Sequence, residues 1–171
     1  MNKTLPLALA AASLLLAGCA GYTLGPIKPA YMADVETIGV PTVVNETIEP
    51  RIETLVTNSI IKQIQQDGTY QVADYREADV VLEARVVELE RRRARSVRNN
   101  VLATREFRYR IHIEYSLTDP RSGRVLVADR RVTGDTSFFV GNDLQQDERQ
   151  AIPLAVEQAA VLLVAQISEG A

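Results

Sequence analysis

Residues 104–118 alternate between apolar and polar side chains more regularly than any other part of the chain. The apolar positions are Phe107, Tyr109, Ile111, Ile113, Tyr115 and Leu117, and the polar positions are Glu106, Arg108, Arg110, His112, Glu114, Ser116 and Thr118. Such alternation is typical of a β-strand that has one face on a hydrophobic core and the other face in a polar setting. We therefore expect a sheet that is covered on one side and polar on the other.

Further strands are predicted on both sides of this one in the sequence. The β-branched segment 35–44 and the alternating segment 78–89 precede it, and residues 124–133 return as its hairpin partner. Pro41 favours an edge or a bulge for the first segment, because proline cannot donate to a sheet ladder. Residues 70–73 form a short extended piece.

Two helices complete the pattern. The first is predicted to begin at Pro50, since proline is favoured at the first helical position, and to end at Gly68. The second is predicted to begin with a capping box at Asp143–Gln146 and to reach Ile167, with a kink or a restart at Pro153. Its apolar surface exceeds what one sheet face needs, which suits either a second burial partner or a central core helix buried on both sides, and we favour the core helix. This order of elements predicts an α+β two-layer sandwich, in which two helices pack on one face of a mixed sheet of about four strands.

The single cysteine of the chain, Cys19, stands directly after an apolar segment. Lys3 supplies a positive charge, Leu5–Ala17 is largely apolar and too short to span a bilayer, and small residues follow. This order is typical of a secretory signal peptide. Leu16–Cys19 further resembles the lipobox of bacterial lipoproteins, which implies that the Cys19 thiol is acylated and that the chain is cut before it.

The resulting organisation has three parts. We predict a signal peptide at residues 1–18, a lipidated tether at 19–33 and a single α+β domain at 34–171. The lipid on Cys19 would hold the domain at a membrane. No intramolecular disulfide is possible with one cysteine, so the hydrophobic core must stabilise the domain alone.

Composition and motifs argue against two classes of function. The chain has 19 basic and 22 acidic residues, whereas nucleic-acid-binding domains are usually basic. His112 is the one histidine, and it stands between isoleucines with no nucleophile motif, Gly-rich phosphate loop or metal-ligand spacing nearby. We therefore expect no catalysis, no cofactor, no metal and no nucleic-acid partner.

Arginine placement is the most informative chemical feature of the sequence. Nine of the sixteen arginines lie between Arg85 and Arg110. The candidate ligand-binding residues among them are Arg91, Arg92, Arg93, Arg95 and Arg98. Arginine binds phosphate and carboxylate with two parallel hydrogen bonds, while a charged sheet edge that prevents aggregation would have the same composition. Strand alternation places Arg91 and Arg93 on one side and Arg92 on the other.

Three segments resemble the LptE family of lipopolysaccharide-assembly lipoproteins. They are VPTVVNETIEPRIETLVTNSIIKQIQQDGTYQV (40–72), DPRSGRVLVADRRVTGDTSFFVGNDL (119–144) and ERQAIPLAVEQAA (148–160). The resemblance implies an outer-membrane lipoprotein on the periplasmic side that acts as a plug or assembly factor for the β-barrel LptD. It also implies help in inserting lipopolysaccharide into the outer leaflet, whose lipid A and inner-core sugars carry phosphates and carboxylates that the arginine cluster would bind.

Two alternatives remain open from the residues. A plug must be polar where it meets a water-filled lumen, and the face that contains Arg108 and Glu114 suits this as well as it suits an ordinary solvated sheet face. A tethered lipoprotein regulator of a cell-wall synthase, built on a similar small α+β domain, would share the strand and helix that surround Asn45.

The anchor assignment predicts the behaviour of the variant Cys19→Ala. The variant lacks the thiol that forms the thioether, so labelled palmitate should not enter it and the domain should leave the membrane fraction. Cys19→Ser is a matched control for side-chain size, and it should behave in the same way. Palmitate labelling of either variant at the wild-type level would contradict the assignment.

Overall fold

The computed structural model describes residues 28–93, 105–140 and 144–170. These contain a one-turn 3-10 helix (Ala30–Met32), strands and two α-helices. The strands are β1 (Thr37–Gly39), β2 (Val44–Asn45), β3 (Gln71–Ala73), β4 (Val80–Arg93), β5 (Arg105–Thr118) and β6 (Val125–Val140). The helices are α1 (Ile52–Asp67) and α2 (Leu144–Glu169).

The strands form one mixed sheet in the order β3-β1-β4-β5-β6, and β2 also pairs with β4. The short strands β1, β2 and β3 pair in parallel, whereas β4, β5 and β6 form an antiparallel meander. The α+β class is confirmed, but the expected number of about four strands is too low. The segment predicted as one strand at 35–44 is divided into β1 and β2, on either side of Pro41, and the extended piece after Tyr70 joins the sheet as β3.

The hydrophobic core lies between the sheet and both helices. The apolar side of β5 is buried, as its alternation predicts, with Ile111, Ile113 and Leu117 at 0% exposure. Helix α1 contacts β2, β3 and β4, helix α2 contacts β5 and β6, and the two helices contact each other. The two-layer arrangement with both helices on one face is therefore confirmed.

Helix α2 buries its residues in pairs. Ala155 and Val156 are buried, the next two positions are exposed, and Ala159 and Ala160 are buried again. The segment Glu148–Glu169 is long and apolar enough to span a bilayer, yet 56% of its most apolar window is buried inside the domain. This burial agrees with its interpretation as a central core helix.

The helix boundaries differ from the predictions at two places. Helix α1 begins at Ile52 rather than at Pro50, because Arg51 takes a left-handed conformation (φ 65°). Gly68 ends that helix as predicted, with φ 74° and an N–H that donates to the carbonyl of Ile64 (3.1 Å). Helix α2 continues through Pro153 and does not restart there. The predicted capping residue Asp143 lies outside the described residues.

Helix α2 approaches the sheet closely at Gly134 of β6. A Cβ at this position would overlap the carbonyl oxygen of Ala155 and would lie 2.6 Å from the backbone nitrogen and 2.8 Å from the Cβ of Ala159. Glycine on the strand and alanines on the helix therefore allow backbone to pack nearly against backbone. The adjacent Asp135 N–H donates to the side-chain oxygen of Gln158, which fixes the helix along the strand.

This contact predicts a large effect of a single methyl group. Gly134→Ala should lower the free energy of unfolding by about 3 kcal/mol, since the added Cβ meets backbone atoms that cannot move without shifting the whole helix. Ser137→Ala, at an exposed position of the same strand, should change stability by less than about 0.5 kcal/mol. Urea unfolding of both variants measures the difference. Equal stabilities would show that α2 does not pack this closely.

Candidate functional site

The sheet has a second face, opposite to the helices, which we call the open face. Its side chains come from alternate positions of β4, β5 and β6, and the registers of the two antiparallel pairs arrange them in rows across the sheet. The polar residues of the open face include Glu83, Arg85, Glu88, Glu90, Arg92, Arg108, Arg110, His112, Glu114, Arg131, Thr133, Asp135 and Ser137. The face is mainly polar and rich in charges of both signs, and it carries apolar side chains near its two ends, at Val81 and at the exposed Phe139.

A β-bulge in β4 determines which residues reach this face. The pairing with β5 shifts between Val86 and Glu88, so Val86 pairs with Ile113 while Glu88 pairs with His112. A bulge inserts one unpaired residue, which reverses the side to which the following residues point. Odd-numbered positions of β4 therefore lie on the open face before the bulge and even-numbered positions after it.

The strongest electrostatic contact on the open face is centred on Glu114. Its Oε2 accepts from Arg85 Nη2 (2.5 Å) and Nε (3.1 Å), and its Oε1 accepts from Arg131 Nη2 (2.6 Å) and Nε (3.1 Å). The two guanidinium groups thus hold the carboxylate from the two neighbouring strands. Arg85 also lies 3.4 Å from Asp129 and 3.9 Å from Glu46, so two arginines and three carboxylates lie together at this point of the face.

These contacts change the acidity of the carboxyl. Hydrogen bonds from Arg131 and then from Arg85 lower the pKa of Glu114 below its ordinary value of 4.5, because they favour the charged form. The pKa of Arg85 is raised in turn, mainly because its guanidinium donates hydrogen bonds to the Glu114 carboxylate. The arrangement holds three ionised groups across three strands, and Glu114 is the least exposed of them at 18%.

A second group lies beyond the bulge. His112 Nδ1 lies 2.9 Å from the hydroxyl oxygen of Thr133, and its Nε2 lies 3.9 Å from Glu90 Oε1. Arg92 Nε approaches Glu90 Oε2 to 2.7 Å, and this is the main reason why the pKa of Glu90 is lowered. Further along β5, Arg108 lies 3.7 Å from Asp135.

The predicted arginine cluster does not form one surface in the described residues. Arg91 lies on the helix-facing side opposite the buried Tyr109, and its Nη1 binds Glu148 of α2 at 2.8 Å. Arg92 lies on the open face, so the two point to opposite sides as strand alternation predicts. For Arg93 the structure describes only the backbone, which pairs with Phe107.

The remaining candidates, Arg95, Arg98 and Cys19, lie outside the described residues. Lipopolysaccharide binding by the cluster therefore stays a prediction. Sequence reasoning had noted the polar side of β5 but missed Arg85 and Arg131 as partners of Glu114. A signal for the bulge was present, since the alternation of β4 fails at the two adjacent valines before Glu88.

A protein-family model decides the broader assignment. The model named LptE and described as lipopolysaccharide-assembly matches residues 35–167, which is most of the chain. This chain belongs to the LptE family. LptE proteins are assembly lipoproteins rather than enzymes, and this chain is accordingly a lipopolysaccharide-assembly lipoprotein associated with a membrane. The match includes all six strands and both helices of the described residues, except for the C-terminal end of α2.

Solved structures share the fold at low sequence identity. A minor lipoprotein from Acinetobacter baumannii is 18% identical, with a TM-score of 0.53, over 80% of this chain and 94% of that one. A PelC dodecamer from Paraburkholderia phytofirmans is 16% identical (TM-score 0.52; 85% and 96% covered). A hypothetical protein from Chlamydia trachomatis is 10% identical (TM-score 0.56; 78% and 96% covered). Among curated proteins, none matches significantly.

The Glu114 contacts of this LptE-family protein predict a pH dependence. Because the folded-state pKa lies below the ordinary value, the stabilisation is fully present at neutral pH and is lost as the pH falls through the lowered pKa. Glu114→Gln should therefore lower the melting temperature clearly at about pH 7 and much less at about pH 3.

Glu83→Gln is the matched control for that comparison, since Glu83 is an exposed carboxyl on the same face. It should leave the melting temperature nearly unchanged at both pH values. If Glu114→Gln lowers the melting temperature equally at both pH values, packing and not the ion pairs causes its effect.

Proposed function

We propose that this protein partners the outer-membrane β-barrel LptD and helps it to insert lipopolysaccharide into the outer leaflet. In this proposal Cys19, acylated after removal of residues 1–18, anchors the domain on the periplasmic side of the outer membrane. The domain then lies against or within the barrel, with the open face of the sheet toward the polar lumen. Membership in the LptE family supports the general role, and the open face supports this mode of contact.

The observation that carries the proposal is the chemistry of the open face. Interiors of outer-membrane barrels are polar and filled with water, so a domain that enters one needs a polar surface. Long strands also fit the shape: β5 has 14 residues and extends about 45 Å, compared with a barrel apolar band of about 25 Å.

Charge pairing makes that surface suitable for an interface. Desolvating an unpaired charge costs several kcal/mol, whereas a charge that already has a partner costs much less. Glu114 is held by two arginines and Glu90 by Arg92. Both carboxylates would therefore keep an ion-pair partner when the face is buried against another protein. Arg108 is less tightly held, at 3.7 Å from Asp135, and is available to a partner's carboxylate.

A contact with lipopolysaccharide is the second part of the proposal. Arg92 of β4 pairs in register with Arg108 of β5, so two positive charges stand side by side at one end of the open face. Like charges in that position repel, and a bound phosphate would relieve the repulsion. Arg91 differs, because it lies on the helix-facing side of the sheet, where its guanidinium binds Glu148.

The alternative of a tethered regulator for a cell-wall synthase is not favoured. The alternative depends on the short strand β1 and the turn at Asn45. The fold contains both, but they fit either assignment and do not distinguish between them. The family match extends over residues 35–167 and includes the later segments that the alternative does not explain.

The barrel partnership predicts a specific effect of charge reversal. Arg108→Glu places a negative charge on the open face and should reduce the barrel recovered with the affinity-purified lipoprotein about tenfold, which corresponds to about 1.4 kcal/mol. Arg149→Glu is the matched control, since Arg149 is an exposed arginine on α2, away from the open face. Quantitative recovery from detergent-solubilised membranes, together with the thermal stability of each variant, makes the comparison.

Depletion of the protein provides an independent measurement. The level of the barrel and of surface lipopolysaccharide should both fall when the lipoprotein is depleted. Normal barrel assembly and unchanged surface lipopolysaccharide would contradict the proposal, and co-purification of a penicillin-binding protein instead would support the alternative.

The lipopolysaccharide contact predicts unequal roles for neighbouring arginines. Arg92→Ala should weaken binding of purified lipopolysaccharide by about 1.5–3 kcal/mol, as expected for a hydrogen bond to a charged group. Arg91→Ala is the control on the other side of the strand, where Arg91 binds Glu148. Binding should also weaken with added salt, because exposed charges are screened within about 10 Å at 0.1 M.

If removing all five arginines, from Arg91 to Arg98, leaves both the affinity and its salt dependence unchanged, the cluster does not bind lipopolysaccharide. It would then be a solvated sheet edge, and the proposed function would depend on the barrel partnership alone.

A further inference from the structure

Three metal-ligand side chains converge on the open face just after the bulge of β4. One carboxylate oxygen each from Glu88 and Glu90 and one imidazole nitrogen from His112 all lie within 4.8 Å of one another. The bulge brings them together, because it turns Glu88 and Glu90 toward the face on which His112 lies. The spacing in the sequence gave no sign of this, since His112 is more than 20 residues from either glutamate.

The orientation of His112 is fixed by a neighbouring strand. Its Nδ1 lies 2.9 Å from the Thr133 hydroxyl, which can accept the Nδ1–H. In that tautomer Nε2 carries a free lone pair. Nε2 is shielded from solvent and has no hydrogen-bond partner among the described residues. A buried polar atom without a partner destabilises the fold, and a ligand at Nε2 would relieve that cost.

Glu90 is oriented in a comparable way. Arg92 Nε approaches its Oε2 to 2.7 Å, while Oε1 faces His112 Nε2 at 3.9 Å. Oε2 is itself buried and lacks an aligned hydrogen-bond donor, so the ion pair leaves lone pairs of this carboxylate unused. Ligands of metal ions are commonly held by such outer contacts, which fix the direction of their lone pairs.

The cluster is open to solvent on the side of Glu88. Glu88 is exposed, whereas Glu90 and His112 are largely covered, so an ion and its water molecules could enter from the side of Glu88. In a tetrahedral zinc site with bonds of about 2.0–2.2 Å, ligand atoms lie about 3.4 Å apart. Rotation of the exposed Glu88 side chain and a shift of less than about 1 Å elsewhere would reach this spacing.

We infer that Glu88, Glu90 and His112 form a binding site for a divalent first-row transition ion, with water in the remaining position. An imidazole nitrogen with two carboxylates suits Zn²⁺ and its neighbours in the series, while Mg²⁺ prefers oxygen ligands alone. The cationic groups of Arg92 and Arg110 nearby oppose a further positive charge. The site is therefore weaker than a closed structural zinc site, and it links β4 to β5 at the bulge.

Zinc titration of the full chain tests this inference. The chain carries Cys19→Ser, so that no thiol binds zinc, and it is purified in detergent without a histidine tag. Isothermal titration should show one saturable Zn²⁺ site per chain and no heat of binding with Mg²⁺. His112→Gln and Glu90→Gln should each lower the Zn²⁺ affinity by at least about tenfold. Glu83→Gln, an exposed carboxyl before the bulge, should change it by less than about twofold.

The NMR signal of the His112 imidazole gives a second measurement, which needs no substitution in the site and so does not require that a variant folds. His112 is the one histidine of the sequence, so its ring signals in an NMR spectrum are unambiguous in an untagged chain. Its Nε2 resonance should shift on addition of Zn²⁺ and stay unchanged with Mg²⁺. If His112 does not respond to Zn²⁺, or if His112→Gln retains the wild-type affinity, the inference is wrong and the cluster is a contact among Glu88, Glu90 and His112 without a metal.

Discussion

The close packing of α2 against β6 at Gly134 determines the character of the whole domain. Ala155 and Ala159 of the helix approach the strand so closely that no side chain larger than hydrogen fits between them. Helix α1 packs against α2 and therefore lies on the same side of the sheet. One face of the sheet consequently receives all of the helical cover in the described residues, and the other face is left to polar side chains.

Those polar side chains need partners of their own, and strand register provides them. The antiparallel pairings place Arg85, Glu114 and Arg131 in one row across three strands. Farther along, the bulge in β4 turns Glu88 and Glu90 toward His112. The open face is thus an ordered network of ion pairs, and this pairing is what the proposed contact with a barrel requires of a surface so rich in charge. A single-residue shift in register would separate each carboxylate from its arginines.

The sequence predicted the parts of the fold that depend on local pattern. Alternation in β5 identified the buried face at Ile111 and Ile113, and Gly68 marked the end of α1 because a left-handed residue is needed there. Features that depend on pairing between distant segments were missed. The partners of Glu114 and the approach of Glu88 and Glu90 to His112 follow from the register of β4, β5 and β6, which no single segment encodes.

The same reason limits what could be predicted of the site. The alternation of charges along β5 indicated a polar face, yet nothing local distinguished a lumen-facing surface from a solvated one. The arginine cluster was evident from composition, but only the strand assignment separates Arg91, which binds Glu148 on the helix side, from Arg92 on the open face. Family membership supplies the role in lipopolysaccharide assembly that these residues alone do not specify.

Accessibility of the open face in intact cell envelopes tests the central claim most directly. With Cys19 acylated, a cysteine introduced as Ser137→Cys on the open face or as Gln65→Cys on α1 is the one free thiol of the chain. Both positions are exposed in the isolated domain. The account predicts that a maleimide reagent labels Ser137→Cys several-fold more slowly than Gln65→Cys, and that depletion of the barrel removes the difference. Equal labelling of the two positions with the barrel present would contradict the claim that the open face contacts the barrel.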